Sequence, residues 1–280
     1  MRLINSGTIT DTVSKMCSEA NYILPHDVRN ALNTALKSEK SPTGANILKD
    51  IIKNYNVAEN DRMPICQDTG MAVFFVEIGS AVHIEGKTLT EAINDGVAKG
   101  YTDGYLRKSV VSDPIERINT GDNTPAVIHY SFVHGDKLKI TIAPKGFGSE
   151  NMSAIKMLAP SAGIDGVKDF VVDTVSQAGP NPCPPIVVGV GIGGNFELCA
   201  LLAKKALTLE LDKPNPNPAY AAVEDELLCR INNLGIGPQG FGGTNTALAV
   251  KMLTAPTHIA GLPVAVNISC HVTRHLTKII

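Results

Sequence analysis

The sequence predicts an α/β fold, in which helices flank a mixed sheet and the N-terminal region is helical. Three observations predict it. Apolar residues recur at helical spacing through residues 8–56. Strand-like and helix-like segments then alternate along the rest of the chain, which is typical of layered α/β proteins. Two β-leaning segments joined by a short glycine-containing turn also predict a hairpin, so we expect a mixed sheet.

Three helices are expected in the N-terminal region. Thr10 or Asp11 is a candidate N-cap for the first helix, because short polar side chains can accept from the free N–H groups of a first turn. The second and third helices are predicted over residues 28–36 and 45–55, where apolar residues recur every three or four positions. Residues 64–70 contain proline and glycine and are expected to end this region.

Strands and helices are both expected in the remaining chain. Strands are predicted at residues 71–78, 126–132, 138–143, 186–190 and 263–269, with the second and third paired as the hairpin. Helices are predicted at residues 89–100, 149–158, 162–177, 196–207, 218–234 and 246–253.

Composition limits the possible classes of protein. The chain has 280 residues, of which 44% are hydrophobic and 19% charged, enough for a large buried core. We treat residues 1–280 as a single domain with residues 1–60 as a possible helical subdomain, because no linker separates them. A net charge of −2 argues against a nucleic-acid partner. No segment has the apolar length of a signal peptide or a membrane span, so we expect a cytoplasmic protein with reduced thiols and no membrane partner.

Glycine-rich segments raise one alternative function. Gly189–Gly194 matches G-x-G-x-x-G after a predicted strand and before a predicted helix, which is typical of dinucleotide-binding folds. However, Gly235–Gly240 matches the same pattern after a helix, so the pattern has little specificity here. Both segments are also consistent with tight turns, or with backbone N–H groups that bind an anion at a helix N-terminus. A nucleotide-binding module therefore remains an alternative.

Three cysteines have a context that suits metal ligands. Cys66, Cys183 and Cys270 each lie in a turn-forming segment beside polar or proline residues. Three such thiolates can hold three corners of an iron–sulfur cluster and leave the fourth iron open to a substrate. Their spacing matches no local ferredoxin or zinc pattern, and three ordinary buried cysteines are the competing interpretation. The other cysteines are predicted to lie in the core: Cys17, Cys199 and Cys229.

Several polar residues are candidates for binding and proton transfer. Asp68 follows Cys66 by two positions and could transfer a proton, although an Asx-type turn is the commoner role beside Thr-Gly. Arg107 could bind a carboxylate through its two-pronged guanidinium. His258 precedes the strand that leads to Cys270. A basic group near the C-terminus could face an anionic pocket, a partner or solvent: His271, Arg274 and His275.

Taken together, the sequence resembles the iron–sulfur-dependent class I fumarate hydratases, specifically their N-terminal half or separate α subunit. Six segments follow the order of that family over nearly the whole chain. They are Cys66-Gln-Asp-Thr-Gly, Leu106-Arg-Lys-Ser-Val, Lys145-Gly-Phe-Gly-Ser-Glu-Asn, Cys183-Pro-Pro-Ile-Val-Val-Gly-Val-Gly-Ile-Gly-Gly, Gly235-Ile-Gly-Pro-Gln-Gly, and His258 through Cys270-His. Each segment is modest alone, but six in order are specific.

The resemblance implies a set of site residues. A [4Fe–4S] cluster would be held by Cys66, Cys183 and Cys270. A small dicarboxylate would contact Gln67, Arg107, Gly146 (through a backbone group) and His258. Asp68 would assist proton transfer. Many relatives have glycine where this chain has Phe147, so the chain departs from the family pattern at the backbone group expected to contact substrate near Gly146.

The resemblance also implies an activity and a partner. The expected reaction is the reversible addition of water to fumarate, giving malate. Further catalytic residues of the family belong to a C-terminal domain, so we expect a β subunit that carries it, in a hetero-oligomer with α–α contacts. The nearest alternative is the α subunit of a tartrate dehydratase, which shares the cluster scaffold. The Lys145–Asn151 segment looks more like the fumarate hydratases and favours fumarate.

Overall fold

The computed structural model describes residues 1–280, and the α/β class predicted from the sequence is confirmed. The helices are α1 (Ser6–Tyr22), α2 (His26–Ser38), α3 (Pro42–Asp61), α4 (Leu89–Asp103), α5 (Phe147–Glu150), α6 (Gly163–Ala178), α7 (Phe196–Ala206) and α8 (Pro218–Asn232). The strands are β1 (Arg2–Asn5), β2 (Met71–Gly79), β3 (Val82–Glu85), β4 (Val127–Val133), β5 (Leu138–Lys145), β6 (Ala154–Leu158), β7 (Ile186–Gly194), β8 (Ala247–Thr257), β9 (Leu262–Ser269) and β10 (Leu276–Ile279).

Two compact units make up the chain. Unit 1 contains Met1–Pro25, Tyr55–Phe147 and Arg274–Ile280, and unit 2 contains His26–Asn54 and Gly148–Thr273. Residues 1–60 therefore contribute to both units, and the single domain and its helical subdomain stay predictions. None of the helices combines the length and the apolar character that crossing a membrane requires.

Unit 1 is built on a mixed four-stranded sheet in the order β10-β5-β2-β4. The central strand β2 pairs in parallel with β4 and antiparallel with β5. Alternate residues of β2 and β5, such as Phe74 and Ile140, face α1 and α4 and form the core of the unit. Tyr101 of α4 is among the largest fully buried side chains of this core. A short parallel pair, β1 and β3, completes unit 1.

Unit 2 is built on a second mixed sheet in the order β6-β9-β7-β8. Apolar residues of α6 and α8 pack with Val188 and Val190 of β7 to form its main core. Cys199 and Ala203 of α7 form a separate small cluster with Ala265 of β9. Helices of unit 2 therefore cover two faces of one sheet.

Glu39 links the turn between α2 and α3 to the segment before β8. Its carboxylate accepts hydrogen bonds from the backbone N–H groups of Ser41 (2.9 Å), Thr244 (2.9 Å) and Asn245 (3.0 Å). The Asn245 side chain donates a further bond of 2.9 Å. Burial alone would raise the pKa of Glu39, but these hydrogen bonds outweigh it and lower the pKa to about 2.

The predicted hairpin is wrong in its pairing, although both of its strands exist. β4 and β5 are not neighbours, because β2 lies between them and pairs with each. Short loops favour adjacent strands, but the very apolar β2 takes the central position, where both of its faces are covered.

Two predicted helices are also wrong. Residues 149–158 contain only the end of the four-residue α5 and then form β6, which pairs with β9. Of residues 246–253, all but Thr246 belong to β8, which pairs in parallel with β7. Their Ala, Leu, Lys and Met residues favour helix locally, and the pairing of strands in the tertiary structure overrides that preference.

Smaller differences concern element ends and short strands. α1 begins at Ser6 and is capped by the Asn5 side chain, not by Thr10 or Asp11. The four-residue strands β1, β3 and β10 were not predicted, because so few residues carry little periodic signal.

Candidate functional site

The Cys66 turn lies in unit 1 between α3 and β2. The Asp68 backbone N–H donates to the Cys66 sulfur at 3.4 Å, and the Gly70 N–H donates to Asp68 Oδ1 at 3.0 Å. The second bond is an Asx-type turn, the local role considered for Asp68 from the sequence. The first directs a backbone donor at a half-buried sulfur, as suits a thiolate that ligates metal.

Asp68 also joins the Cys66 turn to the turn after β5. Its second oxygen, Oδ2, accepts from the Phe147 backbone N–H at 2.9 Å. A Cβ atom on Gly146 would lie only 3.0 Å from that oxygen, so this position has little room for a side chain. Because Phe147 N–H is bound to Asp68, it is not available to a substrate in this arrangement.

Gly70 allows these two turns to lie close together. It has a φ of +75°, and a Cβ atom there would lie 2.7–2.8 Å from backbone atoms of Lys145. Only glycine satisfies both the positive φ and the close approach of the backbones. The Cys66 turn therefore lies directly against the segment that contains Gly146.

Buried polar side chains hold the Cys66 turn from behind. The Tyr101 hydroxyl donates to the carbonyl oxygens of Thr69 (3.0 Å) and Gly70 (3.1 Å). Burial raises the pKa of Tyr101, so its hydroxyl stays protonated and remains a donor. Asn123 donates to the Gly70 carbonyl at 3.2 Å and accepts from Ser109 N–H at 2.7 Å. Sequence reasoning missed Tyr101 and Asn123, since neither lies in a recognisable motif.

Arg107 is held beside the same turn by its backbone. The Thr69 hydroxyl donates to the Arg107 carbonyl at 3.0 Å, and the preceding Leu106 is buried. The side chains of Arg107 and Gln67 are exposed. Unit 1 thus brings together five residues expected at the site: Cys66, Gln67, Asp68, Arg107 and Gly146.

Arg274 also lies in this region, whereas the sequence placed it only in a basic group that could face an anionic pocket, a partner or solvent. It is 5% exposed, and Nη2 donates to the Asp68 carbonyl oxygen. Its Nε and Nη1 are buried with no hydrogen-bond acceptor. Arg274 therefore places a fixed positive charge behind the Cys66 turn and does not face solvent.

Cys183 and Cys270 come from neighbouring segments of unit 2. Cys183 precedes β7 and Cys270 follows β9, and these ends meet where Val187 pairs with Ser269. The Cys183 carbonyl oxygen also lies 3.0 Å from Nδ1 of His271 and accepts from the His271 backbone N–H at 3.4 Å. Strand pairing therefore brings together two cysteines that are 87 positions apart in sequence.

The second glycine-rich segment supports the Cys183 turn. The backbone and side-chain amides of Gln239 both donate to the Pro184 carbonyl at 2.8 Å. Gln239 Nε2 also lies 3.1 Å from His271 Nδ1. A Cβ atom on Gly240 would lie 2.3 Å from Pro180, so the segment needs glycine to pack against the chain leading to Cys183. Residues 235–240 thus have a structural role.

His258 lies at the opposite end of the same sheet. It is exposed in the turn between β8 and β9, next to the point where Gly194 pairs with Thr257. β9 has eight residues and separates this turn from Cys270 by about 25 Å. Unit 2 therefore does not bring His258 together with Cys183 and Cys270.

The Gly189–Gly194 segment lies within β7 and does not form a loop. Cβ atoms on Gly189 and Gly191 would lie 2.2 Å from the Ala203 carbonyl oxygen and 2.0 Å from the Cys199 carbonyl oxygen. These glycines therefore let α7 pack directly on the strand. A phosphate-binding turn needs its backbone N–H groups free of strand pairing. The nucleotide-binding alternative is not favoured.

The chemistry of the three cysteines fits an iron–sulfur cluster. Within either unit, no group of three His, Cys, Asp or Glu side chains forms a complete metal site, and the expected ligands divide as one thiol from unit 1 and two from unit 2. All three are half-buried or exposed in turns. By contrast, burial raises the pKa of the Cys17 thiol. Cys199 is buried as predicted, whereas Cys229 is exposed on α8 and is not a core residue.

Comparisons with known proteins agree over nearly the whole chain. The model of a family described as fumarate hydratase (Fumerase) matches residues 10–278. A putative L(+)-tartrate dehydratase subunit alpha from Methanocaldococcus jannaschii is 44% identical over 276 residues, covering 96% of each chain. The L(+)-tartrate dehydratase subunit alpha of Escherichia coli K12 is 32% identical, covering 97% of this chain and 90% of the relative.

Proposed function

The chain belongs to the fumarate hydratase (Fumerase) family of hydro-lyases, and we propose that it is an α subunit that interconverts fumarate and malate. The observation that carries this proposal is the clamped Cys66 turn. Asp68 and Gly70 hold it against Gly146, with exposed Gln67 and Arg107 side chains beside it. A rigid turn that presents a thiol next to a carboxylate-binding side chain suits a metal-assisted reaction of a small diacid.

In this proposal Cys66, Cys183 and Cys270 hold a [4Fe–4S] cluster. When bound, the cluster supplies a Lewis acid at the iron that has no protein ligand. The position of each cysteine in a turn, and the N–H directed at the Cys66 sulfur, support this assignment.

The ligand assignment is tested by anaerobic reconstitution of the purified chain. Replacing Cys66, Cys183 or Cys270 by serine is expected to lower bound iron and the charge-transfer absorbance of the cluster. Cys229→Ser is the matched control, because Cys229 is exposed but lies within helix α8 and not in a turn. Unchanged iron content in all three ligand variants would show that the assignment is wrong.

The chain's own side chains bind and orient the substrate. The Arg107 guanidinium forms a bidentate pair with one carboxylate of the diacid, and the Gln67 amide donates to the same end. The buried Arg274 charge lies behind the turn and favours a dianion in front of it. These contacts fix the orientation of the substrate before any bond changes.

Asp68 has a positioning role in addition to the expected part in proton transfer. Both of its oxygens accept backbone N–H groups, so the carboxylate holds the two turns together. To take a proton from substrate, Oδ2 would have to use its remaining lone pair or leave Phe147 N–H. We therefore assign the principal base to the partner subunit and an assisting role to Asp68.

A β subunit completes the active site in this proposal. The names of both relatives include the words "subunit alpha", which supports a heteromeric enzyme. We expect the reconstituted chain alone to be inactive and to gain hydratase activity when the β subunit is added. Full turnover by this chain alone would refute the two-subunit proposal. The cytoplasmic location expected from the sequence stays part of the proposal.

L(+)-tartrate is the second candidate substrate, favoured by the names of the relatives. Tartrate carries one more hydroxyl than malate, and a site that bonds this hydroxyl would select for it strongly. A panel of fumarate, malate and tartrate with the reconstituted complex separates the candidates. We expect kcat/KM for fumarate to exceed that for tartrate at least about tenfold. The reverse preference would show that the proposed activity is wrong and that the chain belongs to a tartrate dehydratase.

A further inference from the structure

β4 leaves an exposed edge on the sheet of unit 1. The strand lies at the end of the order β10-β5-β2-β4, and β2 is its one strand partner. Several of its apolar side chains face solvent, with Phe132 81% exposed and Tyr130 41% exposed. An apolar edge of this kind can pair with a strand of another chain.

Other edges of the two main sheets carry features that prevent such pairing. On β8, Glu224 accepts from Met252 N–H at 2.7 Å and Asn215 donates to the Met252 carbonyl at 3.0 Å. β6 and β10 are short strands of five and four residues, each with an exposed lysine. Lysines, short length and side chains that occupy the edge are the usual protections.

β4 has none of these protections. Its seven residues, Val-Ile-His-Tyr-Ser-Phe-Val, include no lysine, arginine, carboxylate or proline. Its register with β2 is continuous from Val127 to Val133, with no bulge to turn the edge away. The absence of these protections at one edge only indicates that this edge is covered in the assembled protein.

We propose that β4 pairs antiparallel with β4 of a second copy of this chain. A pairing about a two-fold axis at Tyr130 places Ile128 opposite Phe132 of the copy, and Val127 opposite Val133. The strand is therefore self-complementary, because these apolar residues meet apolar residues and His129 lies opposite Ser131, a polar pair. It contains no lysine, arginine, aspartate or glutamate, so no like charges of these residues meet when two copies pair. These features favour a second copy over a different protein.

This pairing would extend one sheet across two copies. Every second residue of a strand lies on the same face, so one face of β4 carries Ile128, Tyr130 and Phe132. On this face the Tyr130 hydroxyl lies 2.8 Å from the Thr90 hydroxyl of α4. Phe132 would gain a neighbour across the axis and lose its exposure to water. The inference goes beyond the proposed reaction and does not depend on the substrate or the cluster.

The test uses opposite charges at the axis, measured by sedimentation equilibrium of the full chain. Wild type is expected to form a dimer. Tyr130→Lys and Tyr130→Glu are each expected to weaken it at least about tenfold, because like charges then lie opposite each other. An equimolar mixture of the two variants is expected to restore the dimer, which a folding defect could not do. Ile115→Lys, at a loop residue that is 86% exposed, is the matched control and should not change the dimer.

A crosslink provides a second measurement. Tyr130→Cys is expected to give a disulfide-linked dimer on mild oxidation, since directly opposite Cβ atoms lie about 4.5–5.5 Å apart and a small approach brings them within disulfide range. Ile115→Cys should give no such product. Monomeric wild type, a dimer unaffected by both Tyr130 charge variants, or failure of the mixture to recover would overturn the proposal. Pairing of β4 with the β subunit in place of a second copy would overturn it too.

Discussion

Asp68→Asn separates a positioning role of this residue from a purely catalytic one. Asparagine has nearly the same shape, but only one of its two terminal atoms can accept a hydrogen bond. In the wild-type protein both carboxylate oxygens accept, Oδ1 from Gly70 at 3.0 Å and Oδ2 from Phe147 at 2.9 Å. In the variant, the amide nitrogen must face one of these N–H donors, so one of the two bonds is lost.

The cost follows from the type of bond that is lost. A hydrogen bond to a charged group contributes about 1.5–3 kcal/mol, and we expect Asp68→Asn to lower the free energy of unfolding by about 2 kcal/mol because the site is half-buried. The assay is urea unfolding of the cluster-free protein followed by circular dichroism, so no step of the reaction contributes. The same variant is expected to bind less iron on reconstitution, because the Cys66 turn is no longer held against Gly146.

Asp122→Asn is the matched control in the same unit. The Asp122 carboxylate accepts from Thr124 N–H (2.9 Å) and from the Thr124 hydroxyl (2.7 Å) through a single oxygen, Oδ1. Asparagine can keep both bonds, so a loss below about 1 kcal/mol is expected. If Asp68→Asn has the same free energy of unfolding as wild type and loses only turnover, Asp68 acts as a proton-transfer group. Its hydrogen bonds to Gly70 and Phe147 would then contribute nothing measurable to stability.

Two further predictions concern the stability of unit 2. Glu39→Gln is expected to destabilise by about 2 kcal/mol near pH 7, less than the full pKa shift implies because Glu39 is partly exposed. The pKa is lowered from 4.5 to about 2, so this stability is complete above 4.5 and is lost as pH falls toward 2. The free energy of unfolding of wild type and variant is measured at several pH values, with Glu116→Gln at an exposed site as control. A difference between wild type and Glu39→Gln that stays constant as the pH falls would contradict the prediction. Gly191→Ala is expected to lower the free energy of unfolding by at least about 2 kcal/mol, because the new Cβ forces α7 away from β7. Gly148→Ala is the control and should cost little, since the nearest atom to its Cβ lies at 3.9 Å. Equal melting temperatures of the two variants would contradict the packing role of Gly191.

The local elements were predictable where a segment has a strong periodic pattern. The sequence identified β2, α4, α6 and α7 to within a few residues, because their apolar residues repeat with one clear period. It failed for residues 246–253, whose composition favours helix, and for the pairing of β4 with β5. Both depend on which strands become neighbours, and local preference carries no information on that.

The candidate site shows the same division. Cys66, Asp68 and Arg107 were candidates from the sequence because they lie in short polar segments between apolar elements, whereas Gln67 was named only through the family resemblance; the roles of all four stay predictions. Tyr101 was not a candidate, because it acts through contacts to the backbone of Thr69 and Gly70, which are distant in sequence. Arg274 was named only as part of a basic group, and its contact with the Asp68 backbone has no sequence signal. His258 precedes Cys270 closely in sequence, but the extended strand between them separates the two residues far more than a turn of the same length would. The substrate contact that the resemblance assigns to His258 stays a prediction.

By itself, the sequence determined the α/β class, the family, and the positions of three cysteines in turns. Only the tertiary structure decided that Asp68 bonds to Phe147, that Cys183 and Cys270 meet at one sheet end, and that Gly189–Gly194 packs under a helix. The physical reason is the range of the forces involved. Periodicity and turn chemistry act over a few residues, whereas strand order, close backbone packing and the partners of buried polar groups depend on segments that are distant in sequence.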